Sequence, residues 1–359
     1  MAVAWNGSLL NNTLDVVKSN AGFFNSAFDN FTNPSDYQLP TAFVASVVIT
    51  YVLLFIFSLL GNCFVCVLIG FQFLTPTVTN LFIGSLAACD VLVTFCIPFT
   101  VLSNLIFMYW PFGTFLCPVI SVFQLMTILL RALTLVVMTC DKYYVLSRPL
   151  RRRLSTKQAK RIIVGLWSFS LICCLPVAIF SKIIYLPQEP GSNGLCVEVW
   201  TDRTLRYIYG VVLMLLQYFI PLLVMLCTYS HIAVIVWRSR APGEANNKRD
   251  ERRKQSKKKT LLMLVTVVIT YLLSWLPINV ISIVGDVNPS IYDSMSVHMI
   301  WVLAHLLAFS NSATNALIYY WRNESYRKAF KTLRKKGFTR NRYAFVRNSR
   351  RSITLTERL

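Results

Sequence analysis

Charged residues are scarce in this chain. Asp, Glu, Lys and Arg make up 14% of its 359 residues, whereas hydrophobic residues make up 55%. A soluble domain carries about 25% charged residues. The composition therefore excludes an ordinary soluble protein and predicts a protein whose surface faces lipid.

Metal-binding and catalytic side chains are also scarce. The chain has three histidines, and no Cys or His cluster has the spacing of a metal site. We find no paired catalytic carboxylates, nucleophile triad or phosphate-binding loop. The sequence therefore predicts no metal centre, no cofactor and no enzymatic activity.

What the chain has instead is seven long apolar segments. Each offers the about 20 apolar residues that an α-helix needs to cross the roughly 30 Å core of a bilayer. The predicted spans are Phe43–Gly70, Val78–Asn104, Thr114–Cys140, Ile162–Phe180, Tyr207–Trp237, Thr260–Val284 and Ser296–Tyr320. We therefore predict an all-α membrane protein, in which residues 43–321 form a seven-transmembrane helix bundle.

Basic residues are concentrated in alternate connections between the spans. The segments Lys142–Arg161, Arg238–Lys259 and Arg322–Arg358 contain 31 of the 36 Lys and Arg residues. Short cytoplasmic loops are enriched in Lys and Arg, so these segments are predicted to face the cytosol and the N-terminus to lie outside the cell. The chain is thus predicted to be a multi-pass protein of the cell membrane.

The net charge of +21 would indicate a nucleic-acid partner in a soluble protein. Here topology and contact with anionic lipid account for the cytosolic excess, so no nucleic-acid partner is expected. The outer segments carry a net charge of −4. This outer charge predicts a cationic partner that arrives from outside.

Residues 1–42 are predicted to form an extracellular tail. They contain Asn-x-Ser/Thr glycan acceptor motifs at Asn6, Asn11 and Asn30. No basic segment with an apolar core precedes these motifs, so the first span is expected to act as an uncleaved signal.

Only two of the ten cysteines, Cys117 and Cys196, are predicted to face the oxidising side of the membrane. The other eight lie within or at the edges of the apolar spans. We therefore predict a disulfide between Cys117 and Cys196, which would attach the second outer loop to the third span.

Ordered motifs in the spans resemble those of the rhodopsin-like (class A) G-protein-coupled receptors. They are Gly61-Asn62, Leu86-Ala87-Ala88-Cys89-Asp90, Trp110-Pro111-Phe112-Gly113, Asp141-Lys142-Tyr143, Trp167, Pro221 with Tyr229, Ser274-Trp275-Leu276-Pro277 and Asn315-Ala316-Leu317-Ile318-Tyr319. A closer likeness is to the neuropeptide Y and prolactin-releasing peptide receptor group, and it is carried by Leu195-Cys196-Val197-Glu198-Val199-Trp200, Gly285-Asp286 and His305-Leu306-Leu307-Ala308. The resemblance implies an extracellular peptide ligand and a heterotrimeric G protein.

The resemblance also implies a polar ligand pocket made of Gln124, Gln217, Asn279 and His305. Gln124 stands where amine receptors have an Asp, and an amide cannot neutralise a buried ammonium, so an amine ligand is not expected. Asp286 is expected to pair with an Arg near an amidated peptide C-terminus. The alternatives are a solvated loop acid for Asp286 and helix packing for His305.

Two further acids, Glu198 and Asp202, lie in the second outer loop. They are candidates to receive a second basic group of the ligand. The alternative is that both are free loop acids.

Activation switches are implied for eight residues. They are Asp141, Lys142, Tyr143, Tyr229, Trp275, Pro277, Asn315 and Tyr319. Lys142 departs from the usual Arg and Ala316 from the usual Pro, and a Lys ammonium lacks the planar donor fork of Arg. An alternative function is therefore a receptor-like protein that binds a partner but signals weakly.

A transporter or channel is a third reading. Either would be expected to show internal repeats or several broken, charged spans. The only charges fully inside the spans are one acid and one base, Asp90 and Arg131.

Arg131 lies fourteen residues after Cys117, or about 21 Å along a helix at about 1.5 Å per residue. A charge at that depth costs at least about 2.5 to 3.5 kcal/mol and is normally paired. We predict a salt bridge to Asp90, in place of the sodium ion that the resembling receptors hold with this Asp, Asn62 and Asn315. The alternative is that Arg131 points elsewhere or extends towards the interface.

Residues 322–359 are predicted to lie in the cytosol. Apolar residues recur every three or four positions between Arg322 and Lys336, which is typical of an amphipathic helix on the inner leaflet. Ser349, Ser352, Thr354 and Thr356 are candidate phosphorylation sites for arrestin recruitment, and a disordered basic tail is the alternative.

Overall fold

The computed structural model describes residues 39–336, except 72, 75, 108, 149–152, 186–193, 239–247, 289–290, 292–293 and 323. Asn6, Asn11 and Asn30 therefore lie outside the described residues, as do the candidate phosphorylation sites after Lys336.

In the part of the chain that the structure describes, seven long helices, α1 to α7, follow one another, and a shorter helix, α8, comes after them. Their bounds are α1 Thr41–Gly70, α2 Val78–Val101, α3 Gly113–Ser147, α4 Thr156–Phe180, α5 in two parts Arg203–Met214 and Ile220–Arg238, α6 Lys248–Val287, α7 Met295–Arg322 and α8 Glu324–Lys336. A π-helical turn, Leu215–Phe219, joins the two parts of α5, and another, Leu102–Phe107, follows α2. The predicted seven-helix architecture is confirmed.

α7 is more polar than the apolar spans with which it packs. Among the described residues, α1 to α6 each contain a stretch long and apolar enough to cross a membrane. α7 has 28 residues and packs against α1 and α6. Its residues Asn311, Ser312 and Asn315 are buried in the bundle. Polar side chains in a spanning helix normally face the bundle interior in this way.

Side chains cap several helices where the chain enters them. The Ser155 hydroxyl accepts from the backbone N–H of Gln158, whose side chain accepts from the N–H of Ser155, so the two residues form a capping box at α4. Asp202 accepts from the N–H of Thr204 at 2.7 Å and caps α5. Asp202, a candidate ligand acid, is therefore used locally.

α6 begins well before the apolar segment that predicted it. Its first residue is Lys248, whereas the apolar segment begins at Thr260. A helix that has left the bilayer no longer needs apolar residues, so the helix continues through the basic segment. Hydropathy therefore located the part of α6 that crosses the membrane but not the residue at which the helix begins.

A short β-hairpin covers the outer end of α3. Its strands are β1 Ser181–Ile184 and β2 Leu195–Glu198, which pair antiparallel with Cys196 opposite Ile183. The predicted disulfide joins Cys196 to Cys117, and the backbone N–H of Trp110 donates to the carbonyl of Gly194 at 2.8 Å. These four-residue strands were not predictable from the sequence, because such short segments show little alternation of polar and apolar residues.

α8 is amphipathic, as predicted, but its apolar face packs partly on the protein. Tyr326 and Ala329 are buried in the same cluster as the inner ends of the spans. The ring of Phe330 lies 5.2 Å from that of Phe64 on α1 and 5.6 Å from that of Tyr320 on α7. The bundle therefore fixes the position of α8.

α1 and α7 approach each other closely at Gly61. A Cβ atom placed on Gly61 would lie 2.7 Å from the Cβ of Ala316, closer than real Cβ contacts. Neither methyl group is the end of a flexible side chain that could turn away. A glycine is therefore required at this position by packing.

We predict that Gly61→Ala destabilises the protein by about 1–3 kcal/mol, because the helices must separate to admit the methyl group. Gly165→Ala and Gly210→Ala are matched controls, since an added Cβ meets nothing within 4 Å at either glycine. Each control should be neutral or stabilising, by up to about 1 kcal/mol from helix propensity. Thermal unfolding of the purified variants measures the difference, and equal effects at the three glycines would contradict the packing argument.

Candidate functional site

The four residues predicted to line a ligand pocket lie on four different helices. Gln124 is on α3, Gln217 is in the π-helical turn of α5, Asn279 is on α6 and His305 is on α7. In the described part of the chain, no hydrogen bond joins one of these four side chains to another. Each is positioned by neighbours of its own.

Gln124 and Asn279 are held by contacts of different kinds. Gln124 donates through Nε2 to Thr100 Oγ1 and so links α3 to α2. Asn279 donates through Nδ2 to the carbonyl of Trp275, one turn earlier in α6, at 2.7 Å. Gln124 is therefore fixed by the packing of two helices, whereas Asn279 is fixed by its own helix.

Two tyrosines join the π-helical turn of α5 to α6. The hydroxyl of Tyr271 donates to the carbonyl of Gln217 at 2.7 Å, and the hydroxyl of Tyr218 donates to the carbonyl of Leu272 at 3.2 Å. A π-helical turn departs from the regular α-helical hydrogen-bond pattern, so its carbonyls are suited to such partners. The buried hydroxyl of Tyr271 thus has a hydrogen-bond partner.

Two polar atoms near this junction are buried without a hydrogen-bond partner among the described residues. They are Oε1 of Gln217 and Nε1 of Trp275. The rings of Trp275 and Tyr271 lie 6.2 Å apart. Buried polar groups are normally hydrogen-bonded, so these two atoms are exceptions.

His305 lies in a row of aromatic rings along α7. Its ring is 4.0 Å from that of Trp301 and 6.0 Å from that of Phe309. These contacts correspond to the alternative of helix packing. They leave the predicted contact of His305 with a ligand as a proposal.

Glu198 is held at the outer rim by an aromatic cluster. Its Oε2 accepts from Nε1 of Trp200 at 2.9 Å, so the alternative of a free loop acid does not describe it. The Trp200 ring stacks on Phe180 at 4.0 Å and lies 5.1 Å from Tyr209. For Asp286, only the backbone position near the outer end of α6 is described.

The centre of the bundle contains the salt bridge predicted from sequence. Arg131 forms a salt bridge with Asp90 through Nη2, and the two side chains are 3% and 0% exposed, respectively. The guanidinium also donates to Asn311 Oδ1 at 2.7 Å and to Ser312 Oγ at 2.8 Å. The other oxygen of Asp90 accepts from Asn315 Nδ2 at 3.0 Å. The pair therefore joins α2, α3 and α7.

At the inner end, Lys142 bridges two helices. Its ammonium donates to Thr79 Oγ1 on α2 and lies 3.3 Å from the carboxylate of its neighbour Asp141. The side chains of α6 from position 248 to 261 are not among those described. Within the described part, Lys142 therefore ties α3 to α2.

The other predicted switch residues make uncharged contacts. The hydroxyl of Tyr229 on α5 lies 3.2 Å from that of Thr139 on α3. The rings of Tyr143 and His231 are 5.2 Å apart, across the same two helices. Tyr319 is buried with its ring 6.3 Å from that of Tyr326, and Pro277 lies within α6.

Residues 61–319 match the family model described as "7 transmembrane receptor (rhodopsin family)". The chain belongs to this receptor family. It is therefore a multi-pass protein of the plasma membrane.

Relatives of this receptor include neuropeptide receptors, as the sequence motifs predicted. The RYamide receptor of Tribolium castaneum is 39% identical over 308 residues, which are 83% of each chain. The RYamide receptor of Drosophila melanogaster is 35% identical over 85% of this chain and 67% of its own. The neuropeptide Y receptor type 2 of Gallus gallus is 32% identical over 79% and 74%.

Sequence reasoning missed several partners of the predicted residues in this receptor. They are Thr79, Thr100, Tyr218, Asn311 and Ser312. Asn311 precedes Asn315 by four residues, so helical spacing alone places both on one face of α7. Thr79, Thr100 and Tyr218 gave no such signal, because a single polar residue on a helix does not reveal which neighbour it meets.

We predict that Asp90→Asn and Arg131→Met each destabilise the receptor by about 3–5 kcal/mol, because each leaves one buried charge without its partner. The double variant Asp90→Asn/Arg131→Met buries no charge, so it should lose much less than the sum of the two. Thermal unfolding of the purified single and double variants measures the coupling. Strictly additive losses would show that the two side chains do not stabilise each other.

Proposed function

We propose that this receptor binds an extracellular peptide with an Arg near an amidated C-terminus and transmits binding to a heterotrimeric G protein. The RYamide and neuropeptide Y receptors among its relatives support a peptide ligand. The net charge of −4 on the outer segments supports a cationic one.

The observation that carries the proposal is that the predicted ligand-binding side chains include uncharged amides and that two polar atoms near them are buried without a partner among the described residues. Gln124, Gln217 and Asn279 contribute amides and no charge. An amidated C-terminus is also uncharged, and it offers both N–H donors and a carbonyl acceptor. Such a terminus would satisfy Gln217 Oε1 and Trp275 Nε1, which are buried without partners among the described residues.

The arginine of the peptide requires a carboxylate, and the outer rim supplies candidates. Asp286 has the position that the resemblance assigns to this role. Glu198 is a second candidate, because Trp200 binds only its Oε2 and orients the group. Paired Arg and carboxylate groups form two parallel hydrogen bonds, so they would fix the direction of the peptide as well as its affinity.

Binding is transmitted by a change in population between receptor states. Pro277 interrupts the hydrogen bonding of α6 two residues after Trp275, which allows the helix to bend below the pocket. At the inner end, the contacts of Tyr229 with Thr139 and of Tyr143 with His231 are uncharged. These contacts between α3 and α5 are the ones that opening the cytosolic end would break.

Two further partners follow from the cytosolic segments. The basic face of α8 includes Lys328 and Lys331, which are exposed and suited to anionic lipid of the inner leaflet. Phosphorylation in the tail at Ser349, Ser352, Thr354 and Thr356 would add the negative charge for arrestin.

We predict that amidated peptides ending in Arg-Phe or Arg-Tyr activate G protein in cells that express this chain. The same peptides with a free carboxylate should be at least about 100-fold weaker, since a buried charge without a partner costs several kcal/mol. Peptides with Arg replaced by Ala, and the receptor variant Asp286→Ala, separate the arginine contact from the amide contact. Equal responses to all of these combinations would refute the proposed recognition.

We predict that Lys142→Arg increases peptide-evoked nucleotide exchange, because a planar guanidinium presents more donors to a G protein than an ammonium does. Thr79→Val is the matched control, since it removes the partner of Lys142 and keeps the ammonium. Exchange is measured in membranes with saturating peptide. If peptide binds but exchange is absent in the unmodified chain and in Lys142→Arg alike, the chain is the weakly signalling receptor-like protein instead.

A further inference from the structure

We propose that the Arg131 guanidinium is a built-in cation, which takes the place of a free sodium ion between α2, α3 and α7. The resembling receptors hold sodium with the equivalents of Asp90, Asn62 and Asn315 and a small polar residue at position 131. This chain has Arg at that position. The inference concerns the centre of the bundle and does not depend on the ligand proposed above.

Both carboxylate oxygens of Asp90 already accept from N–H donors. Oδ1 accepts from Nη2 of Arg131, and Oδ2 accepts from Nδ2 of Asn315 at 3.0 Å. The hydroxyl of Ser312 accepts from the guanidinium at 2.8 Å, and Asn311 Oδ1 does so at 2.7 Å. Both oxygens of the carboxylate are therefore used, one by the guanidinium and the other by Asn315.

The amide of Asn62 is engaged through its nitrogen, while its Oδ1 is buried without a hydrogen-bond partner among the described residues. Its Nδ2 donates to the carbonyl of Ser58 at 2.9 Å and to that of Ser312 at 3.0 Å. Sodium requires oxygen ligands, as other hard cations do. An N–H group pointing at those carbonyls competes with an ion for the same oxygens.

The charge balance excludes a second cation more strongly than the geometry does. Asp90 is the one acid in the middle of the spans, and Arg131 neutralises it. A sodium ion beside the guanidinium would meet a like charge in a medium that screens poorly, because both side chains are buried. The residues present do not fit a sodium ion.

A cation that is part of the chain differs from a free ion because its presence in the site does not depend on the ion concentration. Sodium can leave its site when helices move, and its occupancy follows its concentration. Arg131 is attached to α3, so its charge stays with the helix in every state of the receptor. A ligand that does not bind cannot shift an equilibrium. The stability of this receptor should therefore be independent of sodium.

The first test is thermal unfolding of the purified receptor in sodium chloride and in choline chloride at equal ionic strength. The expected result is the same Tm in both salts. A higher Tm in sodium would show that the ion binds the native state and would overturn the proposal.

The second test asks whether removing Arg131 restores the ion site. Arg131→Ser supplies the small polar residue and leaves Asp90 without its cation. Its Tm should rise by about 3 °C in sodium relative to choline, the shift expected near tenfold saturation of a site. Adding Asp90→Asn to this variant should abolish the shift. A folded Arg131→Ser variant that does not respond to sodium would overturn the proposal.

If Arg131→Ser is too unstable to purify, the yield of folded protein after solubilisation is measured instead. Membranes that contain the variant are solubilised in sodium or in choline, and the monodisperse fraction is compared. Greater recovery in sodium supports an ion site opened by the loss of Arg131. Equal losses in the two salts, with normal recovery of the unmodified receptor in both, count against it.

Discussion

The ion pair of Asp90 and Arg131 is the interaction on which the middle of the bundle depends. In a hydrocarbon layer neither charge can be hydrated, so each is tolerated only because the other is present. The groups that complete the pair, Asn311, Ser312 and Asn315, come from little more than one turn of α7. The ion pair thus explains why these three polar residues lie on the buried face of α7.

Among the described residues, the ion pair is also one of four polar connections between α2 and α3, another being the thiol of Cys89 on the carbonyl of Thr127. Gln124 and Thr100 connect these helices in the outer half, and Lys142 and Thr79 connect them at the inner end. α5 and α6 are joined separately through Tyr218 and Tyr271. Between α3 and α5, by contrast, the inner contacts are hydroxyl and ring contacts without charge. α3 is therefore joined to α2 by charged and amide groups, and its inner end contacts α5 through hydroxyl and ring groups.

Much of this arrangement was predictable because the bilayer restricts the options. Charge sorting gave the orientation, and Asp90 and Arg131 could be matched because no other opposite charges lie at that depth. The hairpin Ser181–Ile184 with Leu195–Glu198 was not predictable, since four-residue strands owe their pairing to the disulfide and to neighbours such as Trp110. The roles of Asp202 as a helix cap and of Glu198 as a partner of Trp200 were equally hidden.

The sequence by itself determined the number of spans, their orientation, the disulfide and the need for a cation partner of Asp90. The spans, their orientation and the cation partner follow from the cost of exposing charge or backbone to lipid, which depends on residue type and position along the chain. The disulfide follows from which cysteines face the oxidising side. Tertiary structure alone decided which atoms meet. Lys142 contacts Thr79, and Arg131 contacts Asn311 and Ser312. Which residues meet depends on how each helix is rotated about its axis and how deep it lies in the bundle. Both come from the packing of all the helices together.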